Sequence, residues 1–136
     1  MGVTRVTPSE TIPPLHWWRH LPAIAFTTTH LSVIRRAIAG FGFIGEPHWP
    51  AAANGHPAAA IGIALRTLRS HTEPYPTFDL VMSALLRCAL EGNAAAVLVL
   101  AHVLDRVAKG VSGSALAASW RSIEPTRRFD RKLRSA

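Results

Sequence analysis

Apolar residues spaced three and four apart, an abrupt Gly92-Asn93 junction between two such runs, and proline and glycine breaks between the others mark this chain as all-α. Together they predict a single small domain of four to five helices built on a central antiparallel helical hairpin. An extended N-terminal arm (1–14) precedes the helical domain (15–121), and a basic C-terminal tail (122–136) follows it. At 136 residues and 49% hydrophobic content, the chain is long enough for one core and too apolar for global disorder.

The arm holds Pro8, Pro13 and Pro14 among Thr4, Thr7, Ser9 and Thr11, a composition for extended backbone. Leu15 to Leu21 has room for one short helical turn before Pro22. The hydroxyls of Thr27-Thr28-Thr29 then offer a cap, and Leu31, Ile34, Ile38 and Phe41 recur at helical spacing, with Gly40 and Gly42 as the stop. This predicts a helix over about Thr29–Ala39. Phe41 to His56 reads as a long connection anchored by Phe43, Ile44 and Trp49. Pro57 suits the first position of the next helix, with Ala58, Ile61, Leu65 and Leu68 as the inward stripe and Arg66 and Arg69 outside.

Thr77 is an apt N-cap for a helix over Phe78–Glu91, with Asp79 in the first turn, where a negative charge meets the helix dipole favourably. Phe78, Val81, Leu85 and Ala89, widened by Met82 and Leu86, form its apolar face; Ser83, Arg87 and Glu91 fall towards the polar side. Gly92 fits the left-handed position that ends this helix, and Asn93 caps the next one at once. Ala94–Lys109 is apolar most of the way round its first turns, which places it at the centre of the bundle. Ser112-Gly113-Ser114 offers a cap for a last short helix carrying Leu116, Ala117 and Trp120.

The formal charge of +7 is unevenly placed. Residues 1–120 carry nine Lys/Arg against six Asp/Glu, whereas residues 121–136 carry six against two. A cationic run of this kind points to a polyanion. Thirteen of the fifteen basic residues are Arg in an Ala-rich chain, a signature that GC-rich coding also produces, so the charge counts for less than its size. The expected function is a small non-enzymatic regulatory or accessory protein that contacts nucleic acid. Arg127, Arg128, Arg131, Lys132 and Arg134 would hold phosphates; Arg121, Ser114 and Ser119 are the weaker candidates for base contact. The alternative is a protein-interaction module, a homodimer or the partner of a larger protein, using Trp17, Trp18 and Trp49 or an apolar helix face.

Other chemistry lacks a pattern. His16 and His20, four apart, make half of a metal site, but no third ligand completes it. Cys88 sits mid-helix among apolar neighbours with no activating group, and a lone cysteine excludes an internal disulfide. Gly40-Phe41-Gly42-Phe43-Ile44-Gly45 matches a phosphate-loop pattern by letters but follows a helix rather than a strand. No catalytic residue, metal or cofactor is expected. The first residues lack the form of a secretory signal, and the most apolar run, Ala94–Ala101, falls short of a membrane span. The expected location is cytoplasmic, without a membrane partner.

Overall fold

The computed structural model describes residues 12–42, 45–70, 75–107 and 111–123, and every regular element among these is helical, with no strand. Two 3₁₀ turns, Pro14–Arg19 and Ala23–Ala25, lead into six α-helices: α1 (Thr28–Ala39), α2 (Trp49–Ala53), α3 (Pro57–Ser70), α4 (Tyr75–Leu90), α5 (Ala94–Val107) and α6 (Val111–Arg121). No helix among the described residues is long and apolar enough to cross a membrane.

α1 starts where the threonines predict. Thr27 is the N-cap; its hydroxyl accepts from the His30 amide while its own amide donates to His30 Nδ1 at 3.0 Å. Leu31, Ile34 and Ile38 point into the core, and Gly40 is the C-cap. Phe41, expected on the same stripe, lies past the helix end and is 51% exposed. The connection that follows is not free of structure. Trp49 and Pro50 open the short α2, and the buried Trp49 indole donates to the Phe41 carbonyl at 3.0 Å.

α3 starts at Pro57, as expected, but turns a different face inward. Ala60, Ile63, Ala64, Thr67 and Leu68 are buried, Ile61 and Leu65 half-buried, and Ala58 exposed. Thr67 tolerates burial because its hydroxyl donates to the Ile63 carbonyl at 2.8 Å. α4 begins at Tyr75, so Thr77 is inside the helix and not its N-cap. Pro76 permits this, since a first-turn proline gives up a donor the helix does not need.

α4, not α5, is the enclosed helix. Phe78 through Leu86 are all buried, including Ser83, which was expected on the polar side; α1, α2, α3, α5 and the first 3₁₀ turn all pack against α4. Gly92 has φ +96°, and Asn93 Oδ1 accepts from the Ala96 amide at 2.8 Å, so the junction is built as its two residues predict. Beyond it α5 buries Ala96, Val97, Leu100, Ala101, Val103 and Leu104 but leaves Ala94, Ala95, Leu98 and His102 outside. α6 starts at Val111, which puts Ser112-Gly113-Ser114 within the helix, and it packs along α5 with Ala117 and Trp120 buried.

Candidate functional site

The cationic end begins at the α5–α6 corner, where Arg121, the last residue of α6, meets Asp105 of α5. Arg121 is exposed and forms an ion pair with Asp105 of α5. Arg106, next to Asp105, is exposed and pairs with no carboxylate among the described residues. Ser114 faces solvent. Ser119 is engaged inside the fold: its hydroxyl accepts from the Ala23 amide at 3.0 Å and donates to the Leu116 carbonyl at 2.6 Å, pinning the second 3₁₀ turn to α6. Arg127, Arg128, Arg131, Lys132 and Arg134 lie outside the described residues, as do residues 1–11 of the expected arm.

Trp17, Trp18 and Trp49 belong to the core. Trp18 stacks on Phe78 with ring centroids 5.7 Å apart, and the Trp17 indole donates to the Ile12 carbonyl at 3.1 Å. His30 meets the rings of Trp17 and Phe26 edge-on, at 4.8 and 5.5 Å. Burial holds the His30 pKa below its ordinary value, in keeping with an imidazole that accepts at Nδ1.

The densest polar cluster is one the sequence did not announce. The Asp79 carboxylate is buried on α4 and gathers three residues of the first 3₁₀ turn. Oδ1 accepts from Trp18 Nε1 at 2.8 Å and Arg19 Nε at 2.9 Å; Oδ2 accepts from Arg19 Nη2 at 3.0 Å and lies 3.2 Å from His16 Nε2. Ser83, one helical turn on, donates to the Leu15 carbonyl at 3.1 Å. These bonds fasten residues 15–19 over α4. Asp79 thus serves long-range pairing rather than only the helix dipole. The signal was present: a carboxylate flanked by Phe78, Leu80 and Val81 on a face otherwise apolar requires a partner.

A second network closes the opposite end of α4. Glu91 accepts from Arg35 of α1 at 2.7 Å and from Arg87 at 3.1 Å, and Arg87 also donates to the Ala53 carbonyl of α2. Gly55 lies against it with φ +93°; a Cβ there would stand 3.0 Å from Glu91 Oε1 and 3.2 Å from Arg87 Nε. Cys88 is buried on the same helix. Burial first, then the Glu91 charge, pushes its thiol up to about 11, the pKa of an unreactive sulfhydryl.

Among the described residues no three His, Cys, Asp or Glu side chains are grouped to hold a metal ion. No family model, curated protein or solved structure matches the chain.

Proposed function

We propose that this chain is a small non-enzymatic regulatory or accessory protein of the cytoplasm that contacts nucleic acid through its basic C-terminal segment. The observation that carries the reading is the segregation of charge: six Lys/Arg against two Asp/Glu in residues 121–136. Arg106 supports it: it is exposed at the α5–α6 corner and pairs with no carboxylate among the described residues. In this reading the α4–α5 pair is an antiparallel hairpin that acts as a rigid scaffold, and the phosphate contacts are Arg127, Arg128, Arg131, Lys132 and Arg134. Ser119, held within the fold, is the least suited of the base-contact candidates. The test is fluorescence anisotropy with a labelled generic duplex at rising salt. Affinity should fall steeply with salt and be lost on deletion of residues 124–136; salt-insensitive binding, or none by the full chain, would sink the reading.

A partner-binding reading built on Trp17, Trp18 and Trp49 lacks exposed aromatic faces, since the fold itself covers them. Its other form, self-association through an apolar helix face, is favoured by one observation: Leu98 is 62% exposed beside Ala94 and Ala95 on α5. Light scattering of the wild-type chain and of Leu98→Glu decides it, a wild-type monomer excluding it.

A further inference from the structure

A concave site on the α3 side of the molecule, remote in sequence from the basic tail, has the chemistry of a small-anion receptor. The cavity is about 600 Å³ and is lined by Pro47, His48, His56, Ala58, Gly62 and Arg66 together with Ala59. From this geometry we infer that it binds a small phosphate ester, the anion held between Arg66 and the two imidazoles and the organic part resting on Pro47 and the alanine methyls.

Three observations converge on it. First, three polar side chains that can donate to an oxyanion come from three places, the α2 N-cap (His48), the residue before α3 (His56) and the middle of α3 (Arg66), yet line one cavity. Second, Arg66 is pre-positioned. Its Nη1 and Nη2 lie 3.1 and 3.2 Å from the Glu46 carboxylate, and Glu46 also accepts from the His48 amide at 3.2 Å. The Arg66 side chain is still 54% exposed, and its guanidinium has donors beyond those that Glu46 engages. Third, Gly62 lies within α3, where glycine costs about 1 kcal/mol relative to alanine. No internal packing demands it, because a Cβ at this position would meet nothing within 4 Å. Gly62 lines the cavity, so its missing side chain widens the floor on which a ligand would rest. Ala58 and Ala59, in the first turn of α3, line the same cavity, and the Ala60 amide bonds back to the His56 carbonyl at 3.1 Å.

The test uses the full chain and phenyl phosphate, with inorganic phosphate in parallel, followed by amide and imidazole NMR shifts. Phenyl phosphate should move the signals of His48, His56, Ala59 and Gly62 saturably, and at lower concentration than inorganic phosphate. Arg66→Gln should weaken binding about ten-fold, the loss of one charge-assisted contact. Glu46→Gln should leave it unchanged or tighten it, by removing the competing carboxylate. Gly62→Leu should fill the cavity and abolish the shifts while raising thermal stability, since leucine is the better helix former. Non-saturating shifts, equal weakening by Arg66→Gln and Glu46→Gln, or undiminished binding by Gly62→Leu would each overturn the assignment.

Discussion

Asp79 and Arg19 meet through two hydrogen bonds of 2.9 and 3.0 Å across 60 residues of chain. The same carboxylate holds the Trp18 indole, so one side chain of α4 fixes the segment that covers the core. Asp79→Ala would remove the acceptor of the buried Trp18 N–H and the carboxylate that pairs with the half-buried Arg19 guanidinium. The expected loss is about 1–3 kcal/mol of stability, the cost of leaving a buried donor without its acceptor. Asp79→Asn keeps an acceptor for Trp18 and should cost less. Urea denaturation followed by tryptophan fluorescence measures both, and an unchanged midpoint for Asp79→Ala would show that the contact is incidental.

That latch also marks where sequence reading stops. The periodicity of Leu31, Ile34 and Ile38, and of Val81, Leu85 and Ala89, was legible because helical burial follows local spacing. Gly92-Asn93 was legible because turn chemistry is local too. The partners of Asp79 lie some 60 residues upstream, and no local rule connects them. α2 was hidden because Pro47, Pro50 and Gly55 read as loop while Trp49 supplied the anchor. α5 looked central from its valines and alanines, but composition does not say which faces are covered, and α4 is the one enclosed. At the candidate site the charge was legible and the engagement of Ser119 was not, since its partner Ala23 belongs to a distant turn.

Gly55 and Gly45 make an internal control. Both have positive φ, +93° and +87°, but only Gly55 has neighbours where a Cβ would go. Gly45→Ala should lose about 1–2 kcal/mol, the backbone strain of a left-handed alanine. Gly55→Ala should lose more, because Glu91 and Arg87 must also shift. Equal losses in thermal or urea melts would mean that the Arg35–Glu91–Arg87 network yields freely.

Acidification should weaken the fold through His30. Its folded pKa is lowered by burial, so the unfolded chain binds the proton more readily. The stabilisation is complete above the unfolded value near 6.5 and is lost as pH falls from there through the lowered folded value. His20 acts in the same direction, its pKa lowered by burial and then by the Arg19 and His16 charges. His30→Gln retains a side-chain acceptor for the Thr27 amide without titrating. The part of the pH 7 to 5 decline in urea midpoint that disappears in this variant belongs to His30. A decline of undiminished size would assign it elsewhere.

Cys88 should resist modification in the native state. With its thiol pushed up to about 11 and its side chain buried, little thiolate exists near neutral pH. A thiol-disulfide reagent at pH 8 should react at the rate of global unfolding and speed up with urea accordingly. Immediate stoichiometric reaction in the absence of denaturant would contradict the packing of α4.

The nucleic-acid proposal makes a graded prediction. Each Lys or Arg that neutralises a phosphate adds about 0.9 to the slope of log affinity against log salt. Replacing Arg127, Arg128, Arg131, Lys132 or Arg134 singly by alanine should therefore lower the slope by about 1, alike for unrelated duplex sequences. Arg121 should behave differently because Asp105 already engages it. Arg121→Ala should change the slope little, whereas Asp105→Asn should release Arg121 towards the phosphates, raising both affinity and slope. If Asp105→Asn binds no better than the unsubstituted protein, the α5–α6 corner is not part of the interface, and contact is confined to the segment beyond it.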